Sequence, residues 1–199
     1  MTKQHDSNLE VNFAAPCDDI GAELNWNAQA AALAQAVEVQ TKEVADRQRQ
    51  ITAKLQIPLP VEKVWQVLTD YEALADFIPN LAKSRRLDHP TGGIRLEQVG
   101  TQRLLRFNFS ARVVLDLEEK FPHEIKFDLV EGDLKAYSGK WLLEPDTLSE
   151  LLATNLCYTV LVWPKRTMPV ALIERRLSND LRLNLAAIRQ RAEELFGST

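Results

Sequence analysis

Two cysteines, three histidines and seven glycines in 199 residues leave several chemistries short of material. Cys17 and Cys157 are far apart and unlike in surroundings, a tail thiol and a buried free thiol. No disulfide framework is expected, and the chain reads as a protein of the reducing cytoplasm. His5 stands near the start and His89 and His123 at turns, a spacing that suggests neither a metal site nor a catalytic triad. All three read as exposed turn or tail residues. So few glycines make no phosphate-cradling loop, because Gly92-Gly93 follows a proline as a hairpin turn would. No metal, nucleotide or other cofactor is therefore expected. The chain also lacks an apolar run long enough to span a bilayer, and its start, MTKQHDSNLE, lacks the basic-then-apolar order of a secretory signal. Lys and Arg number 24 against 28 Asp and Glu, a formal charge of −4, without the positive excess of a dedicated nucleic-acid binder.

What the chain does hold is a long amphipathic stretch near its end, Pro169 to about Phe196. Val170, Ile173, Leu177, Leu181, Leu185, Ile188, Ala192 and Leu195 recur at steps of three and four, which draws one apolar stripe down a helix. Pro169 fits the first helical position and Gly197 the end, while Arg175, Arg182, Arg189 and Arg191 lie off the stripe as a solvated face would. Such a helix needs a broad apolar surface to lie on. Residues 1–36 offer little of one. Acidic and alanine-rich, they read as a flexible tail, with a short helix over Ala28–Ala36 as the alternative and Trp26 able to dock. The folded domain is expected over residues 37–199.

Within it, Val37–Thr41 alternates weakly, and Arg47–Ile57 alternates well and predicts a strand ending at Pro58. Two short helices follow, Val61–Asp70 with Val64, Trp65 and Leu68 on its buried side, and Tyr71–Phe77, stopped by Pro79. Strands are predicted over roughly Ala82–His89, Ile94–Gln102, Leu105–Lys120, Glu124–Leu134, Ala136–Glu144 and Leu151–Trp163, with turn residues between them. The clearest sets Phe107, Phe109, Ala111, Val113 and Leu115 against Asn108, Ser110, Arg112 and Asp116, with Val114 the exception. That alternation predicts an antiparallel sheet with one apolar and one wet face. The expected fold class is α+β: a curved antiparallel sheet of about seven strands wrapped around a long C-terminal helix, with two short helices after the first strand.

The combination Ile57-Pro58, Val61, Val64-Trp65, Leu68-Thr69-Asp70-Tyr71 and Phe77-Ile78-Pro79-Asn80 resembles the entry motif of the START-like (helix-grip) superfamily. Within it, the likeness is to the polyketide cyclase/dehydrase group that includes coenzyme Q-binding proteins. Glu131-Gly132-Asp133-Leu134 with Gly139-Lys140-Trp141 resembles its hairpin, and Leu156, Tyr158, Val160, Val162 and Pro164 leading into Met168-Pro169 resemble its last strand. The resemblance covers about Arg47 to Phe196. It implies an apolar cavity between sheet and final helix, and ligands such as sterols, lipids, quinones or polyaromatic molecules.

Trp65, Phe77, Phe107, Phe109, Trp141, Tyr158, Ile173, Leu177 and Leu181 are the candidate cavity residues, each of which ordinary core packing would also explain. Tyr158 shares a strand face with Leu156, Val160 and Val162, opposite Asn155, and could orient a ketone or quinone oxygen. Asp70 and Asp76 punctuate the short helices and read as helix-terminal groups, and no catalytic residue is identified. Three functions stay open: binding or carriage of a hydrophobic small molecule (quinone, isoprenoid or lipid), a cofactor-independent cyclase or dehydratase of an aromatic or polyketide-like substrate, and a membrane- or ribosome-contacting module. The last draws on Lys165, Arg166, Arg175, Arg176, Arg182, Arg189 and Arg191, which outnumber Glu174 and Asp180. It also draws on the resemblance, since one bacterial START-like protein is linked to ribosomes. No sequence-specific nucleic-acid binding is expected.

Overall fold

A computed structural model describes residues 32–104, 107–146 and 152–197, the side chains of 102–104 and 107–109 excepted. The expected tail through residue 31, with His5, Cys17 and Trp26, lies outside the described residues. Residues 32–36 are helical, and Val37 is already buried in the core.

Strands β1 (Glu38–Ala45) and β2 (Gln48–Ile57) precede helices α1 (Val61–Thr69) and α2 (Leu74–Phe77). Then come β3 (Leu81–Leu87), β4 (Ile94–Leu104), β5 (Phe107–Lys120), β6 (Glu124–Gly132), β7 (Ala136–Pro145), β8 (Thr154–Trp163) and helix α3 (Val170–Phe196). The strands form one curved antiparallel sheet in the order β1-β2-β8-β7-β6-β5-β4-β3. The chain thus has eight described strands where about seven were expected. The extra one is β1, whose side chains are nearly all exposed. An edge strand that covers only Val39 in part carries little alternation to read, so it is held mainly by its ladder to β2, from Glu38 opposite Lys54 to Ala45 opposite Gln48.

The inner face follows the period of two. Ile51, Ala53, Leu55 and Ile57 of β2 are buried, as are Thr154, Leu156, Tyr158, Val160 and Val162 of β8, with their neighbours turned outward. Thr154 keeps its hydroxyl satisfied by donating to the Leu59 carbonyl at 2.7 Å. Helix α3 packs on β2, β1 and α1. Leu185, Ile188 and Ala192 are fully buried there, with Ala186 and Ala187 widening the buried face. The stripe does not stay buried to its end: Leu195 is half exposed. Pro169 stands just before the first helical residue, as the N-cap.

The outer face is not simply wet. Glu97 is 5% exposed, held by Lys83 at 2.7 Å, Arg85 at 2.6 Å and Arg112 at 2.7 Å, and Arg112 also meets Glu131. Hydrogen bonds from these cations, Lys83 first, hold the Glu97 carboxyl down to about 2. Cys157 also lies on this face, as a half-buried free thiol and not the buried one expected. Nor is His89 an exposed turn residue. Its Nδ1 accepts the backbone N–H groups of Thr91 (3.2 Å) and Gly93 (3.0 Å), which leaves Nε2–H facing Asp116 at 3.3 Å.

Candidate functional site

The two halves of α3 do different things. Its second half is packed down on β2 and α1, while its first half, through Ile173, Leu177, Leu181 and Asn184, roofs a cavity of about 250 Å3 over the inner sheet face. Val113, Leu115 and Ile125 supply aliphatic floor from β5 and β6. Beside them stands an aromatic wall of Phe127, Tyr137, Trp141 and Tyr158.

Strand register builds that wall. Trp141 lies opposite Tyr158 across the β7–β8 ladder, and their rings stack 3.5 Å apart within 4° of parallel. Phe127 sits 5.3 Å from Tyr137 and 6.0 Å from Tyr158, ring centre to ring centre. Gly139, between Tyr137 and Trp141 on the same face of β7, makes this possible. A Cβ there would lie 2.1 Å from the Thr159 carbonyl oxygen and 2.8 Å from the tip of the Phe127 ring. Only glycine leaves space for that ring and the close backbone approach.

The polar groups are few and specific. The Tyr137 and Tyr158 hydroxyls are 3.2 Å apart, so one donates to the other. Burial pushes both phenols above their ordinary range, and at Tyr137 the bond to Tyr158 offsets part of the rise. Both therefore stay protonated and act as donors, not as bases. Asn184 Oδ1 is buried with no hydrogen-bond partner among the described residues. Tyr71 also lines the cavity, but its hydroxyl leads away from it, donating to Glu119 at 2.5 Å. Burial first, and that bond second, push its pKa well above the usual value.

On the rim, Asn80 Nδ2 donates to Asp180 Oδ1 at 3.3 Å. Asn80 adopts φ 63°, a left-handed conformation that Asn tolerates, and its carbonyl accepts the Thr101 N–H at 2.8 Å. The α2–β3 turn is thereby fixed to β4 on one side and to α3 on the other.

Of the residues nominated from sequence, Trp141, Tyr158, Ile173, Leu177 and Leu181 line the cavity. Trp65 does not: it is buried in the core, edge-on to Phe121 with ring centroids 5.5 Å apart. Phe77 turns instead into a separate groove, with the Arg191 guanidinium 5.9 Å from its ring centre. Phe107 and Phe109 have side chains outside the described residues. Trp163 points outward beneath Lys135, whose Nζ lies 3.3 Å from its ring centre. Asp70 and Asp76 stand away from the cavity. Tyr137, Phe127 and Asn184 were missed, although the signal for two of them was present. Tyr137 is in phase with Trp141 on one strand, and Asn184 is three residues past Leu181 on the apolar stripe.

The basic run from Lys165 into α3 is largely committed within the fold. Arg182 donates to the Val37 carbonyl at 2.6 Å, Arg189 to the Gln56 carbonyl at 3.2 Å, and Lys165 to that of Gly132 at 3.1 Å. Arg189 and Arg191 also pair with Glu193 and Glu194. Among the described residues no helix is long and apolar enough to cross a membrane.

A curved sheet closed by a long helix over an apolar cavity defines a START-like, helix-grip protein. Residues 57–186 match the family described as polyketide cyclase/dehydrase and lipid transport, and the chain belongs to that family. No curated protein matches the chain. Among solved structures it is similar to the Zhui aromatase/cyclase of Streptomyces sp. R1128, at 18% identity and TM-score 0.60 over 74% of this chain and 94% of that one. It is similar also to a STAR-related lipid transfer protein of Xanthomonas axonopodis, at 16% identity and TM-score 0.63 over 80% and 94%. A START superfamily protein of Mycobacterium smegmatis gives 16% identity and TM-score 0.62 over 74% and 99%. At such identities the likeness establishes the fold.

Proposed function

We propose that this protein binds or carries a hydrophobic small molecule, a quinone, an isoprenoid or another lipid, between the sheet and the first half of α3. The observation that carries this reading is the cavity itself, apolar over most of its lining with a few converging polar groups. Its size narrows the reading. At about 250 Å3 it lies below the ~300–1,000 Å3 typical of sites for drug-sized ligands. It holds a ring or a short chain, and a longer tail leaves past the rim at Asn80 and Asp180. Organic extraction of the protein purified from its native host, followed by mass spectrometry, tests this. A stoichiometric lipophilic molecule is the expected result. Extracts without one, together with failure of the purified protein to take up any added quinone or lipid, would refute it.

A second reading is cyclisation or dehydration of an aromatic or polyketide-like substrate, and the Tyr137–Tyr158 pair favours it. Two phenols that hold their protons can polarise a carbonyl as oxygen-binding donors. Turnover of a ketone substrate that survives Tyr137→Phe/Tyr158→Phe unchanged would eliminate this reading. A membrane- or ribosome-docking role draws less support, because Lys165, Arg182 and Arg189 are already turned to carbonyls of their own fold.

A further inference from the structure

The cavity's hydrogen-bonding valences do not close on themselves. Two phenolic protons are present at Tyr137 and Tyr158, and their mutual bond uses one of them. The other has no acceptor among the described residues. On α3, Asn184 Oδ1 is a buried acceptor with no donor among the described residues. Gln98, another polar lining residue, is already engaged through its amide with Ser84 Oγ at 3.3 Å. A buried polar group left without a partner costs ~1–3 kcal/mol, so a ligand that supplies the missing partners recovers that cost on binding. The Tyr pair is set in an aromatic wall, with Trp141 stacked on Tyr158 and Phe127 tilted against both tyrosines.

We propose that the cavity takes a compact, uncharged, oxygen-bearing ring ligand, a phenol or hydroxyketone. Its oxygen accepts the free Tyr137/Tyr158 proton, and its O–H donates to Asn184 Oδ1. The inference rests on the cavity's being a ligand site and adds the polarity and size of the occupant. It places a fused ring system in the inner cavity of about 250 Å3, with any longer chain directed out past the rim. It also separates the roles of the two polar groups. The tyrosine pair reads any ligand oxygen, while Asn184 reads only one that carries hydrogen.

Calorimetric titration of the full chain with a matched series tests this: naphthalene, 2-acetonaphthone (acceptor only), 2-naphthol (acceptor and donor) and 2-naphthoate (anion). The wild type is expected to bind 2-naphthol about five- to thirtyfold more tightly than naphthalene, with 2-acetonaphthone between them. Tyr137→Phe/Tyr158→Phe should weaken both oxygenated probes by a similar factor, whereas Asn184→Leu should weaken 2-naphthol and leave 2-acetonaphthone within twofold. Naphthalene affinity within twofold of wild type in each variant shows that the cavity is still folded. Equal affinity of the wild type for naphthalene and 2-naphthol overturns the proposal while leaving the cavity a ligand site. So do variants that weaken all probes alike. Tightest binding of 2-naphthoate also overturns it and moves the anchor to Arg176, a cationic residue of the cavity lining. Binding of no probe at all removes both this inference and the reading it rests on.

Discussion

Gly139 is where fold and cavity depend on one atom that is absent. A Cβ placed there meets the Thr159 carbonyl oxygen at 2.1 Å, the Phe127 ring at 2.8 Å and Val160 Cα at 3.0 Å, where ordinary contact begins at 3.4 Å. Two of the three neighbours are backbone of β8, so a rotamer change cannot relieve the clash. In Gly139→Ala, β7 must part from β8 by about an ångström beside the residue pair Gly139–Val160. Forced overpacking costs ~1–3 kcal/mol and a ladder hydrogen bond weakened with it ~0.5–1.5 kcal/mol, so a loss of ~3 kcal/mol is expected. For a chain of this length that lowers Tm by ~6–12 °C. The control is Gly100→Ala on β4, also at the cavity, where the nearest atoms to a new Cβ are 3.7 and 3.9 Å away. There the variant should fall within about 0.5 kcal/mol of wild type, or above it through the stiffer unfolded chain. Urea unfolding of the three proteins decides the matter. Gly139→Ala as stable as Gly100→Ala would refute the claim that the aromatic wall is built on that close approach.

Three further outcomes follow from the same geometry. Leu185→Ala, in the fully buried half of α3, should cost ~2–5 kcal/mol by chemical denaturation. Leu177→Ala, half-buried on the cavity roof, should cost clearly less, and equal losses would contradict the division of the helix into an anchor and a roof. Leu177→Trp should fill the cavity and abolish uptake of 2-naphthol, read by calorimetry, while the protein stays folded by circular dichroism. Undiminished uptake would place the ligand elsewhere. Glu97 has its folded pKa lowered to about 2, so its contribution is fully present above the ordinary carboxylate value and is lost as pH falls through 4.5 towards 2. Glu97→Gln should therefore flatten the fall in stability across that window, and an unchanged acid limb would show that the cluster with Lys83, Arg85 and Arg112 carries no net stabilisation.

The elements that were legible in the sequence are those that bury one face. The alternation in β2 and β8 and the stripe on α3 each record a boundary between core and water, and the hydrophobic effect writes that boundary into residue order. Strand β1 has little of such a boundary, with only Val39 partly covered, and left no more than a weak alternation. Its place is set by backbone ladder bonds, which any sequence can make. The same limit divided the candidate site. Strand phase placed Trp141 and Tyr158 on the cavity side, and helix phase placed Ile173, Leu177 and Leu181. Phase cannot say how far along an apolar face the sheet pulls away from the helix, so Trp65 and Phe77 looked as eligible as Trp141.

That separation is the step from core to site. In α3 the stripe runs unbroken from Ile173 to Ala192, yet it borders the cavity only as far as Leu181 and its neighbour Asn184, and from Leu185 onward it is packed shut. Leu181 is almost fully buried and still borders the cavity, so it marks the transition within one turn. The next residue on the stripe's flank, Asn184, is polar where a leucine would have continued the packing. A sequence under pressure only to fill its interior would gain ~1.5–3 kcal/mol by burying a large apolar side chain there. It keeps instead a buried acceptor without a partner among the described residues, lining the same cavity as a hydroxyl pair with a proton to give. Asn184→Leu should then raise stability while lowering affinity for 2-naphthol. A variant that loses stability with binding unaltered would mean that the asparagine serves the fold and not an occupant.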